Sequence, residues 1–125
     1  MNAKNPAKIL LVDDDPALQE LISISLELNG QQVLVASNGS EAMSLVDAQA
    51  PDLIILDLVM PVMDGVCFIR WLRQERASAV PVLIMTGVAR PGMVEELKSS
   101  GATEVVRKPI DVTTFLDKVN QLLQG

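Results

Sequence analysis

The sequence predicts a single α/β domain in which helices cover both faces of a parallel sheet. Five short runs of Val, Ile and Leu recur along the chain, at residues 9–12, 33–36, 53–56, 82–85 and 105–106. These runs do not alternate with polar residues, as strands with one solvent-facing side would. Stretches with helical spacing of apolar residues lie between them. A strand and a helix that alternate five times are typical of an open α/β sheet.

Each predicted helix carries a stripe of apolar residues at the spacing of one helix face. In chain order the stripes are Leu18, Leu21, Ile22 and Leu28; Ala42, Leu45 and Val46; Phe68, Ile69 and Leu72; Val94 and Leu97; and Phe115, Leu116, Val119, Leu122 and Leu123. The fourth stripe is the weakest, and its helix is expected to begin at Arg90-Pro91-Gly92. A glycine inside a helix costs about 1 kcal/mol relative to alanine. We therefore expect the fourth helix to be short and to fray easily.

Capping residues agree with these positions. Asp15 before Pro16 predicts the start of the first helix, since Asp is a common N-cap and proline suits the first turn. Asn29-Gly30 is typical of the end of that helix. Asn38 followed by Glu41 forms a variant of the capping box, which predicts the start of the second helix.

Composition and charge exclude several classes of function. With 10 basic and 16 acidic residues the net charge is −6, which disfavours non-specific binding to nucleic acid or to an anionic membrane. Histidine is absent, so mechanisms that need a Ser-His or Cys-His pair are excluded. Cys67 is the single cysteine, so an internal disulfide is impossible. Because no signal peptide or membrane-spanning run is evident, we expect one cytoplasmic domain over residues 1–125, with its core at about 8–123.

Polar residues lie where the predicted strands end. Asp13 and Asp14 follow the first strand, Asp57 follows the third, Thr86 follows the fourth, and Lys108 comes two residues after the fifth. The carboxyl ends of parallel strands meet at one edge of the sheet, where open α/β sheets bind their ligands. Any one of these residues alone could be an ordinary loop residue. Three acids, one hydroxyl and one lysine at the same edge favour a functional site.

The chemistry of this set points to phosphoryl transfer. Three carboxylates about 5 Å apart repel one another by roughly 3 kcal/mol per pair at an effective dielectric near 20, so a cation is needed. Oxygen ligands favour Mg²⁺, with Mn²⁺ possible. Lys108 can pair with a phosphoryl oxygen and the Thr86 hydroxyl can donate to one. One of the carboxylates can then act as the nucleophile and form an acyl phosphate.

Four motifs, in order, resemble the receiver domain of bacterial two-component response regulators. They are ILLVDDDP at residues 9–16, DLVMPVMDG at 57–65, VLIMTG at 82–87 and KP at 108–109. The resemblance extends from about residue 8 to residue 123. It implies a flavodoxin-like fold, a doubly wound five-stranded parallel sheet with strand order 2-1-3-4-5 and five helices.

The resemblance also implies a role for the acidic residues. Asp57 would accept the phosphoryl group from a histidine kinase or a histidine phosphotransfer protein. Asp13 and Asp14 match the acidic pair that holds Mg²⁺, Asp14 most directly and Asp13 largely through water. Asp57 and the backbone carbonyl of Val59 would complete the metal ligands.

The remaining motif residues would read out the phosphorylation. Thr86 matches the switch hydroxyl that moves toward the phosphoryl group, and Lys108 matches the phosphate-binding lysine, with a cis bond to Pro109. Three positions before that lysine the family usually has an aromatic residue, where this chain has Val105. Valine cannot make the same large rotation. We therefore expect the loop after Thr86 and the fourth helix to carry the signal to a downstream protein that the sequence does not identify.

Other functions are disfavoured by particular residues. A degenerate receiver that binds a partner constitutively would lack an acid, the threonine or the lysine, and none is missing. An aspartate-nucleophile phosphatase needs a second acid two residues after the nucleophile, where this chain has Val59. A nucleotide enzyme would carry G-x-G-x-x-G or a P-loop, and neither occurs. We expect a switch that catalyses its own phosphorylation and dephosphorylation and has no turnover substrate.

Overall fold

The computed structural model describes residues 6–58, 62–87 and 91–124, which form one sheet covered by helices. The strands are β1 (Lys8–Val12), β2 (Gln32–Ala36), β3 (Leu53–Leu58), β4 (Val82–Thr86) and β5 (Glu104–Arg107). Their order in the sheet is β2-β1-β3-β4-β5, and all four pairings are parallel. The predicted strand order 2-1-3-4-5 is confirmed.

Five helices connect and follow the strands. They are α1 (Pro16–Leu28), α2 (Gly39–Gln49), α3 (Val62–Arg70), α4 (Met93–Ser100) and α5 (Val112–Gln124). A π-helical turn, Trp71–Glu75, continues α3. Among the helices that the structure describes, none has the length and apolar character needed to cross a membrane.

The sheet divides the core into two halves, and strand β1 shows how. Leu10 and Val12 pack in the half that α2, α3 and α4 cover, whereas Ile9 and Leu11 pack in the half that α1 and α5 cover. All four side chains are fully buried. Because both faces of the strand are covered, an uninterrupted apolar run is required instead of an alternating one.

The apolar stripe predicted for α1 is only partly right. Ile22 and Leu26, one helical turn apart, are buried against the sheet. Leu21 and Leu28 were expected in the same stripe, but they are 55% and 85% exposed. Helix α1 carries two apolar stripes, and helical spacing alone does not decide which of them faces the sheet.

The predicted start and end of α1 and the predicted start of α2 are confirmed. The Asp15 carboxylate accepts a hydrogen bond from the N–H of Ala17 at 3.0 Å, and the Asn38 side chain accepts one from the N–H of Glu41 at 2.9 Å. After α1 the chain turns at Gly30, where φ is 96°. Glycine adopts this left-handed conformation without the steric cost that a Cβ would bring.

Helix α4 is short, as expected, but it begins later than the sequence suggested. It has eight residues, and Pro91 and Gly92 lie in a turn before it. Gly92 has a φ of 81°, which a right-handed helix cannot contain, so the helix starts at Met93. Within the described part of the chain, no side chain caps this N-terminus, whereas the carbonyl of Gly101 at the other end accepts hydrogen bonds from Arg73.

Candidate functional site

The carboxyl edge of the sheet brings together four of the predicted site residues. Asp13 directly follows β1, Asp57 lies near the end of β3, and Thr86 ends β4. Lys108 continues the pairing of β5 with β4, since its N–H donates to the carbonyl of Thr86 at 2.8 Å. The Lys108-Pro109 peptide bond is cis, as the resemblance implied.

Asp57 lies at the centre of this group. Its side chain is fully buried, and its Oδ1 lies 2.6 Å from Nζ of Lys108. Apart from this ion pair, neither carboxylate oxygen has a hydrogen-bond partner among the described residues. A carboxylate can accept about four hydrogen bonds, so Asp57 keeps acceptor positions for a further ligand.

Asp13 is equally buried and interacts with Asp57. Its Oδ1 accepts a hydrogen bond from the N–H of Asp15 at 2.9 Å, while Oδ2 has no partner among the described residues. Burial raises the pKa of Asp13 to about 6. The Asp15 hydrogen bond opposes this shift, the negative charge of Asp57 adds to it, and the Lys108 charge opposes it. Ionising Asp13 in the folded protein therefore costs free energy, mainly because the carboxylate is buried and in addition because Asp57 lies beside it.

Asp14 occupies a different position from the other two acids. It is exposed and lines a cavity of about 500 Å³, whose other lining residues include Ser37, Asn38, Met43 and Phe68. Across residues 6–58, 62–87 and 91–124, no three Asp, Glu, His or Cys side chains are grouped closely enough to hold a metal ion. Asp14 therefore does not join Asp13 and Asp57 in one cluster.

Asp13 and Asp57, which do lie together, nevertheless suit a hard divalent cation. Apart from the ion pair of Asp57 with Lys108, three buried carboxylate oxygens of Asp13 and Asp57 have no hydrogen-bond partner within the described part of the chain. Carboxylate oxygens are the ligands that Mg²⁺ prefers, and a cation would offset the repulsion between the two acids. Val59, whose carbonyl was expected to be a further ligand, lies outside the described residues.

Gln19 is a residue near the site that sequence reasoning missed. Its side-chain amide donates a hydrogen bond to the backbone carbonyl of Asp13 and lies 3.4 Å from Oγ of Ser37. A glutamine in the first turns of a helix has no special pattern in the sequence. Its contact becomes visible only once α1 is placed against the end of β1.

Comparison with known proteins decides the family. A family model described as the response regulator receiver domain matches residues 9–120. The chain belongs to this family. Receiver domains are the phosphoacceptor switches of two-component signalling, and they generally bind Mg²⁺ in an acidic pocket. The predicted family is confirmed.

Several relatives show how the receiver domain is used. The protein PilH of Pseudomonas aeruginosa is 36% identical over 120 residues, which cover 95% of this chain and 99% of PilH. The DNA-binding dual master transcriptional regulator RpaA of Synechocystis is 39% identical over 118 residues, which cover 94% of this chain. The receiver domain described here spans only 49% of the length of RpaA.

A solved structure confirms the fold independently. The chemotaxis protein CheY4 of Vibrio cholerae superimposes with a TM-score of 0.86 at 33% sequence identity. The match covers 94% of this chain and 99% of CheY4. The flavodoxin-like arrangement that the resemblance implied is therefore correct.

Proposed function

We propose that this receiver domain accepts a phosphoryl group on Asp57 from a histidine kinase or a histidine phosphotransfer protein, with the help of Mg²⁺. The observation that carries the proposal is the state of Asp57. Its carboxylate is fully buried, lies 2.6 Å from Nζ of Lys108, and has acceptor positions that no described residue fills. A buried carboxylate with one cationic neighbour and open lone pairs is suited to act as a nucleophile.

In the transfer, an oxygen of Asp57 attacks the phosphorus atom and a P–O bond forms. The bond between phosphorus and the histidine nitrogen of the donor breaks, and the nitrogen keeps the electron pair. The Lys108 ammonium pairs with a phosphoryl oxygen and stabilises the charge that develops on it. The Thr86 hydroxyl donates to another phosphoryl oxygen.

Asp13, Asp14, Asp57 and the carbonyl of Val59 are the proposed Mg²⁺ ligands. When bound, Mg²⁺ neutralises the carboxylates and the phosphoryl oxygens, and Mn²⁺ would serve in the same way. Asp13 contributes the Oδ2 that lacks a described partner. Asp14, which is exposed, would be the ligand on the solvent side of the site.

We also propose that the output of the switch is a protein contact. The net charge of −6 disfavours direct binding to DNA, so the DNA-binding function named for RpaA is not carried over.

Residues 1–125 would form one cytoplasmic receiver domain, with its core at about 8–123. It would catalyse its own phosphorylation and dephosphorylation without a turnover substrate.

Intact-mass measurement after incubation with acetyl phosphate and Mg²⁺ tests the proposal. The wild type should gain one phosphoryl group, and Asp57→Asn should gain none, because an amide oxygen is a poor nucleophile. Asp117→Asn, which changes an exposed aspartate on α5, is the matched control and should gain one. Wild-type protein that takes up no phosphate with any divalent cation would favour a constitutive binding module instead.

We propose that the signal travels through α4, whose N-terminus has no side-chain cap among the described residues. Gly92 gives α4 no side-chain cap, whereas Arg73 holds the Gly101 carbonyl at the C-terminal end. Val105 is half-buried beside Ile84 of β4 and is too small for a large rotation. We expect the first-turn amides of α4 to exchange hydrogen faster than the first-turn amides of α1, where the Asp15 side chain accepts from the N–H of Ala17. Equal protection of the two first turns, measured by hydrogen-exchange NMR, would contradict this expectation.

A further inference from the structure

Three groups of Asp13, two in the backbone and one in the side chain, are held by hydrogen bonds. Its N–H donates to the carbonyl of Ala36 at 2.9 Å, which extends the pairing of β1 with β2. Its Oδ1 accepts from the N–H of Asp15 at 2.9 Å. Its own carbonyl accepts from the side-chain amide of Gln19. The remaining polar atom, Oδ2, is buried without a partner among the described residues. Because these three groups are held, the orientation of the carboxylate that carries Oδ2 is restricted as well.

The bond from Gln19 also affects the next residue. The carbonyl oxygen of Asp13 lies in the plane of the peptide that joins it to Asp14. A hydrogen bond to that oxygen restricts rotation of the plane, and hence ψ of Asp13 and φ of Asp14. Asp14 is exposed, and the direction of its Cα–Cβ bond, from which its carboxylate extends, is set by this backbone. One amide group therefore influences the directions of both carboxylates.

A second contact of Gln19 suggests an alternative role. The same amide nitrogen lies 3.4 Å from Oγ of Ser37, in the turn between β2 and α2. The N–H of Ser37 donates to the Glu41 carboxylate at 2.7 Å, so this turn is itself tied to α2. Gln19 could be only a link between two turns. The bond to the Asp13 carbonyl and the contact with Ser37 can be separated by substitution.

We propose that Gln19 is a positioning residue for the divalent-cation site, and that it acts through the backbone carbonyl of Asp13. It orients the peptide between Asp13 and Asp14 so that both carboxylates can face one cation. The inference rests on the proposed role of Mg²⁺ in phosphorylation. It adds a residue that touches neither the cation nor the phosphoryl group.

Isothermal titration of the metal-free protein with MgCl₂ tests this role. Gln19→Met keeps the length of the side chain and removes the donor, and it should weaken Mg²⁺ binding about tenfold, at the lower end of the effect of losing partners of metal ligands. Gln121→Met, an exposed glutamine on α5, is the matched control and should leave the Kd unchanged. If Gln19→Met does not fold, Gln19→Ala takes its place. Urea unfolding without Mg²⁺, measured on the same variants, separates the effect on binding from the effect on stability.

Ser37→Ala distinguishes the two roles of Gln19. It removes the contact between the turns and leaves the bond to the Asp13 carbonyl, so Mg²⁺ affinity should remain as in the wild type. If Ser37→Ala weakens binding as much as Gln19→Met does, the link between the turns is responsible and the inference is overturned. It is also overturned if Gln19→Met loses stability but keeps the wild-type Kd, a result that leaves the proposed function intact. If the wild type binds no Mg²⁺, both the role of Gln19 and the proposed Mg²⁺-assisted phosphorylation are overturned.

Discussion

Asp13→Asn is expected to stabilise the metal-free receiver domain by about 2–3 kcal/mol near pH 8. The wild-type carboxylate is buried beside Asp57, and its pKa is raised to about 6, mainly by burial. Asparagine has the same shape and carries no charge. Its Oδ1 can still accept from the N–H of Asp15, which bonds that atom in the wild type. Its amide nitrogen would replace Oδ2, which lacks a described partner, and could donate to Asp57.

The effect should depend on pH in a defined direction. The pKa of Asp13 is higher in the folded protein, about 6, than its ordinary value of 3.8, so folding favours the protonated form. The stability from that protonation is complete below about pH 4 and is lost as the pH rises to about 6. The advantage of asparagine should therefore grow over this window and stay constant above it. Near pH 5 it should be about half its value at pH 8.

Urea unfolding in the presence of EDTA, followed by the fluorescence of the single tryptophan, measures the effect. Asp117→Asn is the control, since it removes an exposed carboxylate of α5 and should change stability by less than about 0.5 kcal/mol. Adding Mg²⁺ should stabilise the wild type more than Asp13→Asn, because the variant lacks one proposed ligand. A variant less stable than the wild type near pH 8, or one with the same gain near pH 5, would show that charge at residue 13 is not the cause.

The parts of the fold that could be predicted are those that depend on local pattern. Buried parallel strands need apolar residues on both faces, so the five strands are visible as uninterrupted apolar runs. Once the strands are parallel, their polar end residues must share an edge. This geometry places Asp57 beside Asp13 and Lys108 without any knowledge of tertiary contacts. The family resemblance added the strand order and the roles of the residues.

The features that were not predicted depend on tertiary geometry. Helix α1 has two apolar stripes, and the choice of Ile22 over Leu21 follows from how the helix rests on the sheet. The start of α4 depends on the positive φ of Gly92, which the sequence permits but does not require. The separation of Asp14 from the buried acids depends on how the turn leaves β1. Gln19 was missed because a bond from a side chain to a backbone carbonyl follows no periodic pattern.

Arg73 is a further residue without a sequence signal, and Arg73→Met is expected to lower the free energy of unfolding by about 3–4 kcal/mol. Its guanidinium donates to three backbone carbonyls. Nη1 bonds those of Ser78 at 2.9 Å and Val80 at 2.6 Å, while Nε and Nη2 bond that of Gly101 at 3.2 and 2.8 Å. Methionine preserves an unbranched apolar stem but has no donor. The three half-buried carbonyls would lose a charged partner, and hydrogen bonds to charged groups contribute about 1.5–3 kcal/mol each.

Matched variants show whether the loss of stability in Arg73→Met is caused by the lost hydrogen bonds. Arg70→Met removes an exposed arginine at the end of α3 and should change stability by less than about 0.5 kcal/mol. Arg73→Lys should lose an intermediate amount of stability, because one ammonium group cannot reach the carbonyls that bond to different edges of the guanidinium. Urea midpoints of the three variants measure these differences. A loss in Arg73→Met no larger than in Arg70→Met would show that the hydrogen bonds of Arg73 do not stabilise the fold.

Because Gly101 is the C-cap of α4, loss of the hydrogen bonds from Arg73 should also speed hydrogen exchange in the last turn of α4. Exchange there that stays at the wild-type rate would mean that the other bonds of the C-cap hold α4 without Arg73.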